Sequence, residues 1–166
     1  MNRTWRDAIT AVLAVQFGMN GLWALAAPRS FYDSFPGAGR VWVGVDGPYN
    51  EHLMRDVGAL LTALAVLNAY AFINRSAPAT RAAGLGIAVF SAPHVVYHAA
   101  TADLLPVGDA IANVASLALG LALGLALAIS PRPPSQHQEQ QTHRLPSRDS
   151  TPPVSAHTTQ PTKASP

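Results

Sequence analysis

Four stretches of this chain, residues 8–27, 53–73, 82–100 and 107–130, run for about 19–24 residues each with few or no charged side chains. Helices of that length rise roughly 28–36 Å, close to the thickness of a bilayer's hydrocarbon core. A soluble bundle needs a charged stripe on each helix to meet water, and the second half of every stretch has almost no charge with which to build one. The sequence therefore predicts an all-α fold: a four-transmembrane-helix bundle over residues 1–130.

Beyond residue 130 the composition changes. Residues 131–166 hold eight of the fourteen prolines among Ser, Thr, Gln and His, with hardly any large apolar residue. Such a segment cannot bury enough surface to offset the entropy of ordering it, so a disordered Pro-rich tail is expected. Charged residues make up 12% of the chain, against about 25% in soluble globular domains. Residues 1–130 balance seven basic against seven acidic residues, and the net +2 arises where Arg132, Arg144, Arg148 and Lys163 outnumber Glu139 and Asp149. The basic balance thus belongs to the tail and gives no nucleic-acid surface; the expected partner is the lipid bilayer. With no cysteine, disulfides, thiolate metal sites and thiol redox chemistry are excluded.

Arginine placement predicts orientation. Arg3 and Arg6 precede the first stretch, Arg75 and Arg81 lie between the second and third, and Arg132 follows the fourth. The connection between the third and fourth carries only Asp103 and Asp109. A multi-pass protein of the cell membrane with both termini cytoplasmic is expected. Met1–Arg6 followed by an apolar run and Ala24-Leu25-Ala26 also fits a signal peptide, but the run is long and broken by Gln16 and Asn20.

Candidate functional residues gather at the opposite, outward end. Gly47-Pro48-Tyr49-Asn50 reads as a turn with Asn50 as a helix cap. Behind it, Glu51 and Arg55, and His52 and Asp56, form i,i+4 pairs. In the third stretch, Pro93-His94-Val95-Val96-Tyr97-His98 sets two histidines on one helix face with Tyr97 beside them. Ionisable groups at membrane depth usually face a bundle interior. His52, Arg55, Asp56, His94, Tyr97 and His98 are therefore the candidate pocket. Within it, His94, His98 and Asp56 are the candidate metal ligands, two imidazoles and a carboxylate. A haem would need His52 opposite His94 or His98; proton relay is a further use of the same groups. The aromatics Phe31, Tyr32, Phe35, Trp42 and Tyr49 read either as an interfacial belt or as a lid over that pocket. Gly120-x-x-x-Gly124 permits close helix packing within the bundle or in a homo-oligomer. Gln16, Asn20, Asn68 and Asn113 offer hydrogen bonds between helices.

In layout, residues 5–130 resemble the small four-helix membrane proteins grouped as DoxX-like, and Gly-Pro-Tyr-Asn-Glu-His-Leu-Met-Arg-Asp-Val-Gly at 47–58 looks like a family signature. The resemblance implies the fold and transfers no catalytic residue or cofactor. Some such families are linked to redox or sulfur metabolism, and the lack of cysteine argues against a thiol version of that role. Three functions fit the residues. One is a binding or accessory protein with an outward pocket for a small ligand, lipid headgroup or metal. The others are a redox, metal or haem subunit built on the histidines, and a structural assembly partner.

Overall fold

The computed structural model of the protein describes residues 3–129 of the 166; the expected tail at 131–166 lies outside the described residues. Four long helices form the body: α1 (Arg3–Ala26), α3 (Glu51–Asn74), α4 (Ala77–Ala100) and α5 (Val107–Ala128). All four are long and apolar enough to cross a membrane, so the chain is a four-helix transmembrane bundle. Consecutive long helices run antiparallel. One end of the bundle carries residues 27–50 and 101–106 and is termed the cap end; the other carries the N-terminus of α1 and the turn at Arg75–Ser76.

Capping sets the helix limits closer together than hydropathy suggests. The Asn50 side chain accepts a hydrogen bond from the Leu53 backbone N–H at 3.1 Å, starting α3 at Glu51. Ser76 accepts from Ala79 N–H at 3.3 Å, so α4 begins at Ala77, five residues before the apolar run. Arg75 closes α3 in the left-handed region, φ 50°, and its Nε lies 3.5 Å from an Asp7 carboxylate oxygen at the start of α1. α4 continues through Pro93 to Ala100 without a break.

The helices associate as two pairs, α1 with α3 and α4 with α5, joined by α3 against α4. Glycine sets both pairings. A Cβ at Gly58 would sit 2.7 Å from Leu25 N and 2.9 Å from Gly21 O, and one at Gly84 would sit 2.6 Å from Ala128 N and 2.7 Å from Gly124 O. Backbones meet there because no side chain separates them. Leu13, Phe17, Leu61, Leu64, Ala65, Ile87 and Leu127 make a core drawn from all four helices. Outward positions are equally apolar: Val12, Val66, Val89 and Ile111 are 58–73% exposed. That pattern suits a surface solvated by lipid.

Residues 27–50 are folded, not a plain loop. A short helix α2 (Pro28–Ser34) leads into a two-stranded antiparallel ribbon, β1 (Pro36–Gly37) and β2 (Arg40–Val41), with Pro36 opposite Val41. Gly37, Ala38 and Gly39 make the ribbon's turn at positive φ, a region that glycine enters without steric cost. An ion pair of 3.0 Å between Arg40 and Asp109 ties this segment to the start of α5.

Candidate functional site

Towards the cap end the four helices enclose a cavity of about 590 Å³. Its walls differ in character. α3 contributes Leu53, Met54, Val57 and Leu61, all apolar. α1 contributes Gln16 and Asn20 beside Phe17; α5 contributes Asn113 and Ser116 beside Leu117 and Gly120. α4 supplies Phe90, Ser91, His94, Tyr97 and His98. Phe17 and Phe90 meet edge to face at 5.9 Å, joining the cavity to the core beneath it.

The segment 27–50 covers the opening. Phe31, Tyr32, Phe35, Trp42, Val43 and Asp46 line the cavity from this side. Phe31 packs on Phe35 at 4.7 Å and Phe35 on Trp42 at 6.1 Å, while Trp23 of α1 meets Phe31 at 5.5 Å. The Tyr32 hydroxyl shares its one proton between Gly44 O, at 3.2 Å, and Gly47 O, holding the chain folded behind the rings. These rings line the cavity from the cap end, an arrangement that fits either reading of them.

The six residues expected to share a pocket divide into two sets. His94, Tyr97 and His98 line the cavity. Phe90 stacks on His94 at 5.0 Å, His94 meets His98 at 4.8 Å and Tyr97 meets His98 at 5.3 Å, an aromatic ladder along one face of α4. His52, Arg55 and Asp56 do not reach that wall. They lie about 110–160° round α3 from the centre of its cavity-lining face, at 100° per residue. His52 pairs with Asp56 at 3.1 Å, with side chains 84% and 65% exposed. Arg55 bonds Glu51 at 2.8 Å and donates to the Leu25 carbonyl at 2.7 Å, closing an open acceptor in the last turn of α1. The expected metal set of His94, His98 and Asp56 is therefore not assembled, since Asp56 faces away from both imidazoles. Among the described residues no group of three or more His, Cys, Asp or Glu is arranged to hold a metal ion. The facing-helix haem pair fails for the same reason, because His52 stands on the exposed side of α3.

Residues assigned lesser roles from the sequence define the cavity instead. Asn113 is 4% exposed, and among the described residues its Oδ1 has no hydrogen-bond partner; the same holds for the Nε1 of Trp42, which is 9% exposed. Leaving a buried polar atom unpaired costs about 1–3 kcal/mol. The Nε1 of Trp5 and the Oδ1 of Asn68, in residues that do not line the cavity, are unpaired in the same way. Asn68, also buried, donates its amide N–H to Leu64 O on its own helix at 2.9 Å and stands outside the cavity. Gly120 opens space: a Cβ there would meet only Ser91 Oγ, at 3.8 Å. Asp46 is the carboxylate among the lining residues, and partial desolvation pushes its pKa up, with His98 pulling the other way. Asn113 carried one signal in the sequence, an amide inside the most apolar of the four spans. Trp42 carried none that separates it from the other aromatics.

By length and composition, then, this is a multi-pass helical membrane protein with a cavity between its spans. No known protein family matches the chain, and no curated protein or solved structure is significantly similar to it. The comparisons give no support to the expected likeness to DoxX-like proteins.

Proposed function

We propose that this chain is a membrane-embedded binding protein whose cavity holds a small amphipathic molecule. One observation carries the reading: a space of about 590 Å³, bounded by all four spans and covered by aromatic rings, with polar side chains such as Gln16, Asn20 and His94 among its lining. Ligand sites typically occupy about 300–1,000 Å³, mostly apolar with a few polar groups that fix orientation. The bilayer supplies such molecules at high local concentration, and the apolar wall of α3 suits their hydrocarbon parts.

The deciding experiment fills the cavity without disturbing the bundle. Gly120→Phe adds a ring where the nearest atom to a new Cβ is 3.8 Å away. Purified wild-type protein should release a near-stoichiometric small molecule on solvent extraction and mass spectrometry. The variant should insert, melt like wild type and release little of it. Identical extracts from the two proteins would overturn the proposal.

We further propose that both termini are cytoplasmic and the cap end faces outward. Arg3, Arg6, Arg75, Arg81 and Arg132 flank one end of the spans, against Arg29, Arg40 and Arg55 at the other. The surplus of positive charge favours the terminal end as the cytoplasmic one.

A further inference from the structure

Resting on the cavity reading above, we infer that the ligand is an organic cation. Its single ammonium is held at the mouth by the Asp46 carboxylate and the aromatic rings, and its uncharged body lies along the apolar wall of α3.

Charge decides the sign. Among the described residues lining the cavity, Asp46 alone carries a fixed charge, and no lysine or arginine is present. Other acids of the described chain are already paired: Asp7 with Arg75, Asp33 with Arg29, Glu51 with Arg55, Asp56 with His52 and Asp109 with Arg40. Asp103, which has no ion pair, stands exposed in the turn before α5. Asp46 makes none either among the described residues, yet it is partly desolvated; His98 acts on it from α4 without coming within ion-pair distance. An ionised carboxylate drawn out of water and left unpaired is unfavourable, and a cation beside it offsets that cost. An anion would be repelled, and a zwitterion would bring a negative end for which the lining holds no fixed cation. A bare metal ion needs several ligands, and among the described residues no three His, Cys, Asp or Glu are grouped to supply them.

Aromatic faces favour the same sign. Tyr32 and Trp42 of segment 27–50 and Tyr97 of α4 line the cavity at the cap end, and the negative face of such a ring attracts an ammonium. Depth then fixes how the ligand lies. Tyr97 and His98 stand within about 5 Å of the cap end of α4, at 1.5 Å per residue, and Asp46 belongs to the segment above them. Below that level the lining side chains are apolar, amide or hydroxyl, save the His94 imidazole about 9 Å down. Leu53, Val57 and Leu61 continue the α3 wall to about 15 Å. The fixed charge is thus confined to the mouth and the space beneath it is uncharged. A molecule with one cationic end and an uncharged, largely apolar remainder matches that order.

Three tritiated probes of nearly one shape test this: naphthylmethyl trimethylammonium, neopentylnaphthalene, in which carbon replaces the nitrogen, and naphthylmethanesulfonate. Scintillation proximity measures each on the full-length protein in nanodiscs of uncharged digalactosyl lipid, with empty discs subtracted. The buffer is held at about pH 8, above the ordinary imidazole range, so that histidines do not compete as cations. Each probe is compared between wild type and Asp46→Asn in the same discs, so that its partition into lipid cancels. The ammonium should bind wild type, and bind Asp46→Asn about fivefold to tenfold more weakly, the worth of one partly solvated charge contact. The neutral isostere should bind the two proteins equally, and the sulfonate should not bind above empty discs. Should Asp46→Asn fail to insert, the wild-type contrast between ammonium and sulfonate decides. An ammonium indifferent to Asp46→Asn, a neutral isostere that loses as much, or a sulfonate that binds as tightly overturns the assigned charge and leaves the cavity reading standing. So does binding of the neutral isostere without the ammonium. If no probe binds but wild type releases a molecule that Gly120→Phe lacks, a cationic structure for it supports the inference, and an uncharged or anionic one overturns the inference alone. If no probe binds and the two extracts are identical, both readings fall.

Discussion

By their positions along the spans His52, Asp56 and His98 are expected at one membrane face, yet of the three only His98 touches the cavity. Interaction energies vanish between residues that share no partner and no network. Asp56→Asn should cost little, since an exposed pair contributes about 0–1 kcal/mol. Combined with His98→Gln, the two effects on unfolding free energy should add to within about 0.5 kcal/mol; a larger coupling would place Asp56 in the cavity network after all. Asp46 behaves differently, because its pKa is raised in the folded protein by desolvation. A raised folded pKa means that the folded state holds the proton more tightly than the unfolded one. Its contribution is then fully present at pH below the unfolded carboxylate pKa, and is lost as pH rises through the folded value. Asp46→Asn, which stays neutral throughout, should melt above wild type at neutral pH and level with it in acid. Melting curves across the acid range check this, and a gap between the two that does not change with pH would contradict it. His98 is the group facing Asp46 whose own charge opposes the effect, so the comparison is best repeated in His98→Gln.

At the level of helices, glycine serves two ends within one motif. Gly124 lies against Gly84 and Ala88, where a Cβ would fall 2.9 Å from Ala88 N and 3.1 Å from Gly84 O. Gly120, one turn nearer the cap end, faces the cavity and leaves room. Gly84→Leu and Gly58→Leu should therefore force a helix pair apart and lower stability by about 1–3 kcal/mol or more, the usual cost of overpacking. Gly120→Ala should leave the melting temperature unchanged. Thermal melts in one detergent compare all three; equal losses at Gly120 and Gly84 would mean that α4 and α5 touch along their whole length with no cavity between them. The Gly-x-x-x-Gly spacing was plain in the sequence, and its use for bundle packing holds at Gly124. That its other glycine makes space could not be read, because spacing does not reveal how far apart two helices are.

For the whole molecule, orientation is the open property with a direct test. Reporter fusions after Ser76 and after Pro131 should read cytoplasmic and one after Ala102 external; the reverse set of signals would turn the cap end inward. The sequence by itself determined the architecture, because about twenty uncharged residues in a row leave a chain few choices other than crossing a bilayer as a helix. It also determined local caps such as Asn50, whose side chain bonds Leu53 N–H at 3.1 Å, since capping needs only neighbours along the chain. Which polar residues meet was decided by tertiary structure. Glu51 and Arg55, His52 and Asp56, and His94 and His98 all have i,i+4 spacing, and only the last pair faces inward. In a soluble helix the polar face would mark the outside and fix the rotation. Here lipid-facing and core-facing sides are both apolar, as Val66 and Leu64 show on α3, so hydropathy leaves the rotation of each span undetermined. The glycine contacts at Gly21 with Gly58 and Gly84 with Gly124 set that rotation. They turn Asn113 and His94 towards the cavity and Asp56 away from it.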